Sequence, residues 1–163
     1  LAPGNHGANR TGRVFTGDSS GDWLYRALFD HGFSNQPESI ARDDGLRLRD
    51  AAVTCVVKCA PPQNKPKAEE VRNCRPWFEE ELRRFRKVRV VLALGRIAFD
   101  GYVCTREVPD RPKFAHGARF DPPHGPTLIA SYHPSRQNTN TGRLTRPMFD
   151  AVFANARKIL AEP

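Results

Sequence analysis

The chain has 163 residues, 39% of them hydrophobic and 27% charged, with a formal net charge of +8 at pH 7. That is one domain's worth of chain, residues 1–163, long enough to bury a real core; no apolar run approaches the ~18 residues of a membrane span. The surplus charge is mostly Arg, which suits an anionic partner and nucleic acid first, because guanidinium forks grip phosphate and stack on bases.

The chain opens Leu-Ala-Pro-Gly, with neither the basic start nor the apolar stretch of a signal peptide, so an intracellular location is the expectation. Leu1-Ala2 reads as the end of a strand. GDWLYRALFDHG (21–32) places Trp23, Leu24, Ala27 and Leu28 on one helical face and stops at Gly32, a residue suited to a helix C-terminus. AAVTCVV (51–57) reads as a second strand, and 67–85 as a charged helix broken or kinked near Pro76. VRVVLAL (88–94) is a third strand, with the helix GRIAFDGYVC (95–104) directly behind it. TLIASY (127–132) is a fourth, and the last helix carries Leu144, Met148, Val152, Phe153, Ala156 and Leu160 at helical spacing, a core-packing stripe. The apolar runs are continuous rather than alternating, as in parallel strands covered on both faces. The expected fold is therefore α/β, a three-layer α/β/α sandwich around a central four-stranded parallel sheet. Ligands of such sheets bind beyond the carboxyl ends of the strands.

Two polar loops should meet there. LAPGNHGANRTGRVFTGD (1–18) has four glycines for tight turns and close approach, with Arg10 and Arg13 for phosphate. Phe15 among these polar residues either stacks on a planar base or anchors the loop. Asp18, before Ser19 and Ser20, is either the cap of the following helix or a catalytic acid. The second loop, HPSRQNTNTGRLT (133–145), begins at the strand end with His133. That histidine is either structural or a donor to a developing anion. Ser135, Arg136 and Gln137 form a polar wedge, Asn138 carries an amide able to read base edges, and Arg143 adds charge. Between the loops, Cys59 and Cys74 in KCAPPQNKPKAEEVRNC are either two unrelated thiols or half of a four-Cys iron–sulfur site. Cys55 and Cys104 read as core residues.

Together these stretches resemble the uracil-DNA glycosylase superfamily, over nearly the whole chain. The two loops look like the signature motifs of its family 5, the segment from Lys58 to Cys74 looks like the iron–sulfur segment of families 4 and 5, and VVLALGRIAF is similar to the strand–helix unit behind it. The resemblance implies an enzyme that flips a damaged nucleotide out of double-stranded DNA, hydrolyses its N-glycosidic bond and leaves an abasic site, the first step of base excision repair. It implies roles as well. His133 would stabilise the leaving uracil anion, Phe15 would stack on the flipped base, and Ser135, Arg136 and Gln137 would enter the minor groove while Asn138 holds their loop. Arg10, Arg13, Arg136 and Arg143 would face DNA. Leu1 stands where relatives carry a water-polarising acid, which leaves Asp18, ahead of His6, as the candidate for that task. Cys55 replaces an Asn that reads the base face, so hypoxanthine and xanthine join uracil as expected substrates. Cys59 and Cys74 would hold a [4Fe-4S] cluster, its other two Cys lying upstream of Leu1 in a longer protein. A monomer in a bacterial or archaeal cytosol is the expected setting. A relative that binds or traps damaged DNA without turnover is the alternative, kept open by Leu1; a domain for a small phosphorylated ligand leaves the second loop and the paired Cys unexplained.

Overall fold

A computed structural model of the chain describes residues 1–106 and 111–162. Its centre is a sheet of β1 (Val90–Leu94), β2 (Arg119–Phe120) and β3 (Thr127–Ser131) in the order β1-β3-β2. β1 and β3 run parallel, in a register that sets Val90 against Thr127 and Leu94 against Ser131. β2 pairs antiparallel to β3. Side chains alternate across β3. Leu128 and Ala130 join Ala93, Phe78, Phe99 and Tyr102 on one face, while Ile129 packs with Val152, Ala156 and Ile159 on the other. Both faces are thus covered, which is why the strand sequences show no polar alternation.

The first face is covered by α3 (Ala68–Arg84) and α4 (Arg96–Val103), the second by α6 (Arg146–Ala161). α2 (Ser19–Asp30) packs behind α6, where Leu24, Ala27 and Leu28 meet Phe149 and Phe153. Two short helices lie in the loops, α1 (Ala8–Thr11) and α5 (Arg136–Asn140). No helix among the described residues is long and apolar enough to cross a membrane.

Four expectations need correction. Cys104, read as a core residue, is exposed at the end of α4. The sheet is three-stranded and mixed among the described residues, not four-stranded and parallel. Residues 51–57 and Leu1 come together through one backbone bond, Val57 N–H to Leu1 C=O at 3.0 Å, and form no ladder. Cys55, Val56 and Val57 are buried all the same; side-chain packing, rather than strand pairing, is what their apolar run reported. Lastly, α3 runs through Pro76 without a break. Proline removes one N–H from the helix, but Arg72 and Pro76 lie on its exposed side, where water can serve the orphaned carbonyl. Arg75–Glu79 at 2.6 Å and Arg84–Glu80 at 3.1 Å add support at i,i+4 spacing.

Candidate active site

The register of β1 and β3 brings their carboxyl ends out side by side. Gly95 N–H donates to Ser131 C=O at 2.8 Å, extending the ladder one step past β1. Gly95 has φ +94, and a Cβ there would stand 3.1 Å from the Cβ of His133. Only glycine fits this backbone at this approach, so α4 can start directly against the histidine. On the other side, Tyr132 N–H donates to His116 Nδ1 at 3.1 Å. That bond leaves the His116 proton on Nε2, and burial lowers the pKa of this ring. The strand end is therefore fixed on both flanks just before His133.

His133 is half-buried, and desolvation draws its pKa down to about 4. Its ring is thus neutral at physiological pH, with one N–H to give. Phe15 stacks against it with ring centroids 5.6 Å apart and planes 26° from parallel. Phe15 itself sits at φ 57, in the left-handed region that non-glycine residues avoid. The conformation is held from behind. The first turn of α2 lies so close that a Cβ on Gly21 would fall 1.9 Å from the Phe15 carbonyl oxygen.

Asp18 caps α2, its Oδ1 accepting Gly21 N–H at 2.9 Å. Its Oδ2 turns the other way, toward the first loop, 3.3 Å from the place a Cβ on Gly4 would take and closer still to that on Gly7. The capping reading is therefore correct, and the second oxygen faces the loop. Asn138 spends its side chain on its own loop, with Nδ2 donating to the His133 carbonyl at 2.9 Å. Ser135 caps α5 by accepting Asn138 N–H at 3.4 Å. Leu144, fully buried, closes the loop through its N–H to Asn138 C=O at 2.9 Å.

The arginines divide. Arg10, Arg136 and Arg143 are exposed. Arg136 Nε reaches Ser19 Oγ at 3.1 Å, tying the second loop to the start of α2. Arg143 lies over the Tyr132 ring at 4.7 Å. Arg13 turns inward instead. Its Nη1 bonds Asp44 at 2.7 Å and Ser39 at 3.0 Å, and its Nη2 bonds the Arg42 carbonyl. Nothing in the sequence around Arg13 announced this, because Asp44 lies 31 positions away. Gln137 is exposed, as is His6, whose carbonyl accepts Arg10 Nε at 3.0 Å.

Cys55 is buried, and burial raises its thiol pKa, so it stays protonated. It stands two residues from the Val57–Leu1 bond. Lys58 and Thr54 on the same stretch both donate to Glu81 of α3. Cys59 is an exposed free thiol and Cys74 a half-buried one. The Lys58 N–H donates to Cys74 Sγ at 3.4 Å, the kind of bond that steadies a thiolate ligand. Two such thiols fit half of a four-Cys set; among the described residues no group of three or more His, Cys, Asp or Glu is gathered for a metal ion. Sequence reasoning missed Gly95, whose signal is a glycine directly behind a strand, and Asp44.

The profile of the uracil DNA glycosylase superfamily matches residues 1–157. The chain is 51% identical over 160 residues to the type-5 uracil-DNA glycosylase of Thermus thermophilus, a match covering 98% of this chain and 73% of that one. It is 50% identical over 156 residues to the type-5 enzyme of Pyrobaculum aerophilum, covering 96% and 68%. With the type-5 enzyme of Mycobacterium leprae it shares 45% identity over 162 residues, covering 98% and 71%.

Proposed function

This chain belongs to the uracil DNA glycosylase superfamily, and on that premise we propose that it removes uracil from double-stranded DNA by hydrolysing the N-glycosidic bond. The observation that carries the reading is the contact of Phe15 with a neutral His133. An aromatic face and an uncharged N–H donor lie together at the sheet edge, flanked by exposed arginines. That pairing suits a flipped base, which needs a stacking surface and a donor at its oxygen.

The C1′–N1 bond breaks with its electron pair moving onto the base, water adds to the sugar at C1′, and the proton the water sheds ends on the departed base. His133 donates its N–H to the uracil O2, where the departing charge gathers. A neutral ring can do this without taking up a proton from solution. Phe15 holds the base plane. Asp18, one oxygen engaged with α2, orients the water through the other. Asn138 keeps the His133 backbone in place, while Ser135, Arg136 and Gln137 enter the minor groove and hold the gap left by the flipped nucleotide. Arg10 and Arg143 meet phosphates. The Cys55 thiol, a weak and compact base reader, admits hypoxanthine and xanthine besides uracil, and His6 is the further residue assigned to base contact. Cys59 and Cys74 supply two of four thiolates to a [4Fe-4S] cluster, which is structural, since hydrolysis moves no electron. The protein acts as a monomer in the cytosol.

The test is single-turnover cleavage of a labelled duplex with one G·U pair, followed by alkali. A nick at the uracil is the expected result. Tight binding with no nick favours the damage-binding alternative, for which Leu1 is the motivating residue.

A further inference from the structure

His116 takes no part in the chemistry at C1′, yet it stands where the sheet runs out. On an antiparallel edge the ladder bonds return at every second residue. Here Ala130 N–H donates to Ala118 C=O at 2.9 Å, and Ala130 C=O accepts Gly117 N–H at 2.8 Å. The register of β2 and β3 sets Tyr132 opposite residue 116 for the next rung. The chain turns away before its main chain can supply that rung. Ala118 N–H closes a turn onto Ala115 C=O at 3.2 Å, with Gly117 at φ +75 inside it. The His116 side chain supplies the acceptor instead. Its Nδ1 takes Tyr132 N–H at 3.1 Å, and its ring stacks on the Tyr132 ring with centroids 5.1 Å apart and planes 29° from parallel.

Both peptides of Tyr132 are pinned in this way. His116 holds the N–H, and the hydroxyl of fully buried Ser131 donates to the C=O at 2.9 Å. The second of these peptides is the one that carries His133. The hold on the first exists only while the His116 ring is neutral, because imidazolium bears a proton on both nitrogens and accepts nothing. Burial lowers the pKa of His116, and the main chain of Met148 at the start of α6 acts the other way. Two cations stand on the neighbouring rings. Arg143 of the second loop lies over Tyr132 at 4.7 Å, and Arg96 of α4 lies over Phe114 at 5.7 Å, with Phe114 itself 6.1 Å from Tyr132. Both weigh against a further positive charge.

We propose that His116 is a positioning residue for the glycosylase step: its Nδ1 lone pair serves as the last rung of the sheet and sets the direction in which His133 offers its N–H. The inference rests on the glycosylase reading. His116 touches no substrate and acts through Tyr132. A proton on Nδ1 removes the acceptor and turns one N–H against another, so the strand end is released. Cleavage should therefore slow as pH falls through the His116 pKa, below ~6.5, while His133 itself stays neutral down to about 4.

The experiment measures single-turnover cleavage of a G·U duplex across the acid range, with duplex affinity measured beside it. His116→Phe keeps a ring on Tyr132 and removes the acceptor. It should slow cleavage near neutral pH roughly tenfold, the scale of one half-buried N–H left unpaired, with affinity for the duplex unchanged. His116→Asn places an amide oxygen near the Nδ1 position. It should recover most of the rate and lose the wild-type acid limb, because an amide does not titrate. A normal rate for His116→Phe, or an acid limb that persists unchanged in His116→Asn, overturns the role of His116. Where His116→Phe fails to fold, the limb of His116→Asn decides, together with nitrogen-15 NMR of the wild-type imidazole: a proton on Nδ1 at neutral pH overturns the proposal without any turnover. A wild-type chain that leaves uracil DNA uncut overturns the glycosylase reading, and the positioning role with it.

Discussion

The two polar loops look alike in sequence and are built on opposite plans. The first bends by glycine and by strain, turns Arg13 inward to Asp44, and ties Asp18 to α2. The second is a short capped helix, α5, that secures itself through Ser135 and Asn138 and leaves Arg136 and Arg143 outside. The first loop is mostly scaffold, holding Phe15 and Asp18 in place with Arg10 as its exposed cation; the second is mainly presented surface. A basic residue in a polar loop is therefore no indication of which way it faces.

The largest expected effect falls where the two loops meet. Replacing His133 with Ala should slow single-turnover cleavage about 10²-fold, the scale of one lost anion-stabilising donor; a normal rate would leave the contact with Phe15 without catalytic meaning. The same ring gives a pH signature. It protonates at about 4 when folded, against ~6.5 for an unfolded His. As pH falls from ~6.5 to 4 the unfolded chain takes the proton first, so stability declines through that window and is unaffected above it. An NMR titration of the imidazole that showed protonation near pH 6.5 would contradict the desolvated site.

Next comes the strained half of the contact. Gly21→Ala drives a Cβ into the Phe15 carbonyl, and overpacking of this kind costs about 1–3 kcal/mol. Thermal unfolding should drop by roughly 2–10 °C, and cleavage should suffer with it as Phe15 shifts. A variant that melts like the parent would show that α2 does not enforce the loop.

The smallest effects sharpen the contrast between scaffold and surface. Arg136→Ala and Arg143→Ala should each lower the salt dependence of DNA binding by about one unit, with stability changed by no more than about 0.5 kcal/mol. Arg13→Ala should do the reverse, lowering stability by about 1–3 kcal/mol and leaving the salt slope alone. Equal behaviour of the three would erase the distinction.

Much of this was readable in the chain. Helical spacing gave α2 and α6 nearly to their ends, because their stripes are long and their caps local: Asp18 for α2 and Thr145 for α6. The strands β1 and β3, and the loop that follows β3, were equally plain. Burial was legible at Cys55–Val57, but pairing was not, since apolar character reports the loss of water and not the identity of the neighbour. Arg13 was illegible for a related reason. Its position depends on Asp44, a partner that no local pattern marks.

One close approach, that of Gly95 to His133, bears on timing. The imidazole has a backbone on one side, Phe15 on another, and its own carbonyl leashed by Asn138. Such a tooth has nowhere to swing. On the proposed function, the protein would then contribute a fixed mould to an encounter with damaged DNA, and the slow motion would belong to the nucleotide that must rotate into it. Lesions that already sit loosely in the helix would be found fastest, with no sensor for looseness beyond the mould itself.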